Sequence, residues 1–296
     1  MTQNWRRLGL IHQPDRTKWW AVNGYCHLPT AITLFDKDVV RVYYASLDMD
    51  MRGRVGYVDL DTGDLERVVA VSPKPVMDIG PAGAFDCDGV TPSCIVPFEG
   101  RLFMHYIGWQ RTARVPYMLF GGVAKSMTGG ASFERTQDVP VMDRTIDEPY
   151  SRSAPFVMIE DGVFRAWYWS CTHWSDGHYN NVIMHTREGE KPAVCLTPEA
   201  PDYALGRPWV IKEQDIYRMW YSIRREGNPE YRMGYAQSHD GLKWVRFDQH
   251  MDQLNESGNG ETSEYPCVID SGGKRWMLFN GRKHGADGIQ LAVLDD

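Results

Sequence analysis

A proline stands in the same short frame of small and branched residues five times along the chain: His27-Leu-Pro29-Thr-Ala-Ile32, Val90-Thr-Pro92-Ser-Cys-Ile95, Ser153-Ala-Pro155-Phe-Val157, Gly206-Arg-Pro208-Trp-Val-Ile211 and Glu264-Tyr-Pro266-Cys-Val-Ile269. The prolines follow one another at 63, 63, 53 and 58 residues. Self-similarity at a near-constant period of this size marks a repeat architecture. Proline has no N–H for a ladder, so within a sheet it is confined to edges and bulges. An edge strand at the same place in every repeat, turned towards a shared channel, is the arrangement of a β-propeller.

The remainder of each repeat fits that arrangement. A second strand rich in aromatic and β-branched residues follows each frame: Val40 to Ala45, Leu102 to Ile107, Phe164 to Trp169, Tyr217 to Ser222 and Arg275 to Asn280. Third strands are expected over Arg54 to Leu60, Gly121 to Ser126, Asn181 to Arg187, Arg232 to Gln237 and Ile289 to Leu294. Two fourth strands are expected to end alike, in Pro75-Val-Met-Asp78 and Pro140-Val-Met-Asp143. The fifth repeat has no room for a fourth strand before Asp296, and Arg6 to His12 is expected to supply it. The expectation is an all-β, five-bladed β-propeller with four antiparallel strands per blade. It forms one domain over residues 1–296, its ring closed by the N-terminal strand, with essentially no helix.

Composition removes several function classes. No apolar run approaches the roughly 18 residues that span a bilayer, and the N-terminus lacks a signal-peptide core, so a cytoplasmic protein is expected. A net charge of −7 without a basic stripe argues against nucleic acid or an anionic membrane as partner. The cysteines Cys26, Cys87, Cys94, Cys171, Cys195 and Cys267 form no CxxC pair and read as small thiols within strand frames. There is no Gly-rich phosphate loop, G-x-S-x-G elbow or dinucleotide fingerprint, and no cofactor is expected. The oligomeric state is left open.

Function in such a ring belongs where the loops feeding the innermost strands converge. Just before their prolines the five frames place different polar groups: His27, Asp86 or Asp88, Glu148 with Arg152, Arg207, and Glu264. A structural repeat needs no such divergence, whereas one asymmetric ligand does. Two or three carboxylates facing one channel suit glycosyl transfer, one protonating the leaving oxygen and the other activating water or attacking carbon. Asp86, Glu148 and Glu264 are therefore the candidate catalytic acids. Asp88 has the competing reading of a turn cap before Gly89. Arg152 and Arg207 would separate the carboxylate pKa values or clamp an anion, and Trp109 and Trp174 would stack on a sugar face. Tyr150, His173, Arg282 and His284 complete the expected substrate-binding set. His27, His173 and His284 with the carboxylates offer a weaker metal-site reading, but no HxH or HExxH spacing supports it, and no metal is expected.

The segments Phe85-Asp-Cys-Asp-Gly-Val-Thr-Pro-Ser-Cys-Ile-Val96, His105-Tyr-Ile-Gly-Trp109, Arg207-Pro-Trp-Val-Ile211, Tyr217-Arg-Met-Trp-Tyr-Ser222, Tyr231-Arg-Met-Gly-Tyr-Ala236 and Ser263-Glu264 resemble a group of glycosidase-like five-bladed propellers. That group is distantly similar to the arabinanase, invertase, levansucrase and mannoside phosphorylase families and tends to occur in polysaccharide biosynthesis and sugar-modification clusters. The resemblance runs from about Leu28 to Leu294. It implies a carbohydrate-active, glycoside hydrolase-like enzyme that cleaves or transfers a glycosyl group of a small or oligosaccharide substrate, with His27, Asp86, Glu148, Arg207 and Glu264 in the channel. Two departures matter: blade one offers His27 where the arabinanase type has a carboxylate, and the blade-five loop is Asn280-Gly-Arg-Lys-His-Gly285, whose cations hint at an anionic or nucleotide-linked sugar. The competing readings are a non-catalytic carbohydrate-binding propeller and a lyase or cyclase acting on a small metabolite.

Overall fold

The structure, a computed structural model, describes residues 3–175, 178–255 and 262–295; Glu261, part of the fifth loop, lies outside them. Strand β1 (Asn4–His12) is followed by β2 (His27–Leu34), β3 (Val39–Leu47), β4 (Gly53–Asp61) and β5 (Asp64–Val71), which pair antiparallel in that order. The same order recurs in β6 (Gly89–Phe98), β7 (Arg101–Arg111), β8 (Tyr117–Ser126) and β9 (Glu134–Arg135). These two groups meet at a parallel pair between Gly53 and Gly89. Two further antiparallel sheets are β10 (Arg152–Glu160) to β13 (Ala193–Leu196), through β11 (Val163–Ser175) and β12 (His178–Arg187), and β14 (Asp202–Glu213) to β17 (Val245–Arg246), through β15 (Ile216–Arg225) and β16 (Asn228–Ser238). The last comprises β18 (Glu264–Ser271), β19 (Lys274–Asn280) and β20 (Ile289–Asp295), and β1 is its fourth strand, with Asn4 opposite Asp295 and His12 opposite Ile289.

One expectation is corrected. The segments ending in Asp78 and Asp143 are not strand ends. Each meets the third strand at one isolated bridge, Val55 with Met77 and Gly121 with Met142, because nearby prolines deprive the backbone of ladder donors. Among the described residues helix is confined to short turns, Asp248–Met251, Asp252–Asn255 and Arg282–Gly285.

The prolines sit where each first strand bulges. The ladder slips between His27 and Thr30, Pro92 and Cys94, Ser153 and Phe156, Gly206 and Trp209, and Glu264 and Cys267. A bulge leaves one residue out of the ladder, so the missing proline N–H costs nothing there. The residue before the proline is left-handed in four frames, with φ of 51° at Leu28, Ala154 and Arg207 and 58° at Tyr265. Each such non-glycine residue stores about 1–3 kcal/mol, which only a surrounding structure that over-determines the backbone sustains. Bonds to that backbone provide the restraint: the Leu28 N–H donates to Asn280 Oδ1 at 2.9 Å, and that of Tyr265 to Ser222 Oγ at 2.9 Å.

Each first strand touches the first strand of the next group, and β18 touches β2. Trp209 Nε1 donates to the Val268 carbonyl at 2.7 Å, and Ser93 Oγ to the Pro155 carbonyl at 2.7 Å. Arg207 on β14 reaches furthest. It is buried and donates to the carbonyls of Ser93 on β6 and Pro29 on β2 at 2.6 and 2.9 Å, and to Thr30 Oγ1. Apolar second-strand residues fill the space between neighbouring sheets, and the largest cluster joins Trp5 on β1 to Val40, Trp220, Met277 and Leu291. We predict that Trp5→Ala lowers the unfolding free energy by about 3–5 kcal/mol in urea titrations. Phe35→Ala, at an 87% exposed turn position, is expected to change it by less than about 0.5 kcal/mol.

Candidate functional site

The residues before the five prolines, Leu28, Thr91, Ala154, Arg207 and Tyr265, line a cavity of about 450 Å³. Second strands add Ala45, Leu47, Ile107, Trp109, Trp169 and Arg224 to its wall, and the starts of third strands add Tyr117, Tyr179 and Tyr231. Trp109 lies against Gly89, where an added Cβ would stand 2.1 Å from the indole. That glycine is therefore what admits the ring. Trp169 stacks on Tyr179 with centroids 5.7 Å apart, and the Tyr179 and Tyr231 hydroxyls are 3.0 Å apart. Burial pushes the hydroxyls of Tyr117, Tyr231 and Tyr265 well above the usual phenol range, so they remain protonated.

One carboxylate is wired to this cavity. Glu264 opens β18 and is 1% exposed. It accepts the backbone N–H of His284 at 2.6 Å, while its Oε2 lies 3.0 Å from His284 Nδ1. The left-handed backbone of Lys283 and His284 (φ 52° and 59°) folds the loop back to make both contacts. Burial raises the Glu264 pKa, and its pair with His284 opposes that rise. For His284 burial acts downward, but the pair with Glu264 outweighs it and the pKa rises. The imidazolium is thus favoured beside the carboxylate, with Nε2 on the side away from it. The Tyr265 hydroxyl is 3.3 Å from the same Nδ1. His27 sits beside both, 5.0 Å from the Tyr265 ring and 6.2 Å from that of His284. Burial drives its pKa down to about 3, helped by His284 and Arg207, so it is neutral, and its buried Nε2 has no partner.

The other expected acids lie elsewhere. Asp86 is fully buried, accepts from the Tyr106 hydroxyl at 3.0 Å and pairs with Arg135 at 2.7 Å. Glu148 accepts from Tyr168 at 2.9 Å and pairs with Arg152 at 2.6 Å. A third sheet repeats the pattern without any expected site residue: Asp248 accepts from Tyr221 at 2.6 Å and pairs with Arg246 at 2.6 Å. The three tyrosines occupy the same position of the aromatic second-strand run. The acid–tyrosine–arginine cluster is therefore a device of the repeat, and neither Asp86 nor Glu148 lines the cavity.

Arg152 is spent on Glu148 and on the Asp143 carbonyl. Asp88 caps the Arg111 backbone N–H at 2.8 Å and pairs with its guanidinium at 3.1 Å. Arg207 reaches the floor, but its guanidinium amino groups bond to carbonyls below it and are not free to clamp an anion. Tyr150, His173, Trp174 and Arg282 do not line the cavity, and among the described residues no three His, Cys, Asp or Glu side chains gather as a metal site. Of the expected set, the cavity brings together His27, Trp109, Arg207 and His284, with Glu264 behind His284. Sequence reasoning missed Tyr25, Trp169, Asn181, Arg224 and the tyrosines of the wall. One signal was present: Tyr117, Tyr179 and Tyr231 each stand near the start of a third strand.

Both members of the Glu264–His284 pair bind protons more tightly folded than unfolded, so the stability they confer is complete at low pH and is lost as pH rises. His284→Ala strips Glu264 of its cation and raises its pKa further. We predict a loss of about 1–2 kcal/mol that grows with pH, read from urea midpoints at about pH 5 and about pH 8. Glu264→Gln is expected to remove the added slope, and parallel curves for wild type and His284→Ala would contradict the pairing. Asp86→Asn and Glu148→Gln are each expected to cost about 1–3 kcal/mol in thermal denaturation, as members of buried hydrogen-bonded clusters.

No family model matches the chain. In structure it is similar to a protein described as a glycoside hydrolase, with a TM-score of 0.70 at 16% identity over 99% of this chain and 91% of the other. It is also similar to an α-L-arabinofuranosidase from Lactobacillus brevis (TM-score 0.70, 10% identity, 91% and 90% covered) and an endo-arabinase from Bacteroides thetaiotaomicron (0.62, 12%, 92% and 94%). The likeness is one of fold, the all-β architecture shared with these glycoside hydrolases. In sequence it is 32% identical over 303 aligned positions to the uncharacterized protein Rv1502 of Mycobacterium tuberculosis strain H37Rv, with 99% of each covered. The counterpart in strain CDC 1551 matches equally. With that identity running the length of both sequences, the chain belongs to the family of this mycobacterial protein.

Proposed function

We propose that the chain is a single five-bladed propeller, closed by β1, that acts as a glycosidase-like enzyme on a carbohydrate seated in the central cavity. The observation that carries this reading is the Glu264–His284 pair, a buried carboxylate holding an imidazolium at an aromatic-walled cavity. The fold shared with glycoside hydrolases supports it.

In this mechanism Trp109, Trp169 and Tyr179 hold the sugar by stacking and apolar contact, and the protonated tyrosine hydroxyls donate to its oxygens. His284 gives a proton to the departing glycosidic oxygen, and Glu264 keeps the ring oriented and charged until transfer. Neutral His284 then takes a proton from the incoming acceptor, so one group serves as acid and then as base. Asp86 and Glu148 act on the blades that carry the wall, not on the substrate.

A second reading, a carbohydrate-binding propeller without turnover, is favoured by a specific observation. Of the three carboxylates expected to be catalytic, Glu264 alone contacts a residue of the cavity wall, whereas glycosidases characteristically use two. Mass-spectrometric turnover on aryl glycosides and oligosaccharides separates the two readings. We predict that Glu264→Gln and His284→Gln each lower kcat by about 100-fold or more, while Glu148→Gln keeps the kcat of the folded fraction within about threefold of wild type. Sugar binding without turnover in the wild type would establish the binding module.

A further inference from the structure

We propose that the cavity selects a sugar bearing a carboxylate, and that Arg224 is the group that reads it. The inference rests on the carbohydrate reading above and goes beyond it by naming the substrate class and a residue that sets it.

Arg224 lies near the end of β15, half-buried, with its guanidinium at the cavity. Its partners in the fold are neutral: Nε donates to the Tyr203 hydroxyl at 2.8 Å and Nη1 to that of Tyr231 at 3.4 Å, and the guanidinium carbon lies 4.7 Å from the Tyr231 ring centroid. Among the described residues no carboxylate pairs with it. Four other enclosed arginines are built differently. Arg41 pairs with Asp59, Arg54 with Asp48 and Asp78, Arg165 with Glu160, and Arg246 with Asp202 and Asp248. Arg111, also at the cavity, is neutralised by Asp88. Glu264, which reaches the cavity wall at His284, is already taken by that residue, and Glu230, which acts on that pair through its field, makes no ion pair with Arg224. Beneath the floor, Arg207 is a second cation with no acid against it, and its Nε has no partner.

A cation withdrawn from water without a counter-ion is costly to the fold. An incoming anion relieves that cost, because Arg224 keeps Nη2 unbonded and Tyr203 and Tyr231 hold its plane fixed. The chemistry favours carboxylate over phosphate. One planar guanidinium fork matches a planar, singly charged group, and the described residues offer no glycine-rich loop or long helix N-terminus that would cradle a dianion. The aromatic wall is left for the remainder of the sugar.

Isothermal titration calorimetry on the full chain tests this with glucuronate against glucose, galacturonate against galactose, the corresponding sugar phosphates, and cyclohexanecarboxylate. The expected result is binding of at least one uronate roughly 10- to 100-fold tighter than its neutral counterpart. Arg224→Gln is expected to abolish that preference without weakening the neutral sugar, and Arg224→Lys to restore part of it. The wild-type comparison stands even if a variant fails to fold. Equal binding of acid and neutral sugars, or a preference that survives Arg224→Gln, overturns the inference and leaves the carbohydrate reading intact. Tighter binding of the sugar phosphates overturns the carboxylate assignment. Binding of cyclohexanecarboxylate alone, lost in Arg224→Gln, keeps the anion site and overturns the carbohydrate reading. Silence from every probe overturns both.

Discussion

The structure turns on a cation placed where cations are least comfortable. Arg207 is 1% exposed, and burial lowers its pKa to about 10. What holds it is a set of oxygens from two other sheets, the Pro29 and Ser93 carbonyls and the Thr30 hydroxyl, together with the Trp209 ring 4.9 Å away. Bonds from a charged donor are roughly twice as strong as neutral ones and exacting in geometry. They fix the distances between β14, β2 and β6 at the level where the cavity begins. Everything above that level, from the placement of Leu28 to that of Tyr265, inherits this register.

The fold was legible because its signals are repeated. The second-strand runs that carry Tyr44, Tyr106, Tyr168, Tyr221 and Phe279 at one shared position could be superposed by eye, and each is a strand. The site was less legible because repetition hid it. Asp86 and Glu148 stood out as polar groups that differ between frames, but the sequence does not display their partners. Tyr106 and Arg135 lie 20 and 49 residues from Asp86, and the role of the cluster emerges only when the Asp248 cluster, whose acid follows its sheet instead of preceding it, is set beside the others. Arg207 shows the converse problem: its position facing the axis was readable, but whether its charged end points into the cavity or down the axis depends on rotamers. Arg224, in an ordinary strand run, carried no signal, since what distinguishes it is the absence of an acid beside it.

Glu264 and His284 show how a buried charge pair is made from a loop with little regular structure. The carboxylate sits on the first residue of a strand, and the imidazole arrives on two consecutive left-handed residues. Such a backbone is costly for side chains larger than glycine. Two hydrogen bonds from one residue to one carboxylate return part of that cost, so the loop conformation and the protonation state of the pair are coupled. A ligand that binds the imidazolium stabilises the loop by the same act.

The bulges have a consequence for how such a chain changes over evolutionary time. In four of the five frames the residue before the proline is excluded from the ladder, so strand pairing does not constrain its identity. Leucine, threonine, alanine, arginine and tyrosine occupy the five places. All five face the same small volume. At any of them except Arg207, a single codon change alters what that volume recognises while the fold that carries it is preserved. Specificity in this family can therefore drift one sector at a time, and relatives with superimposable backbones need share no ligand.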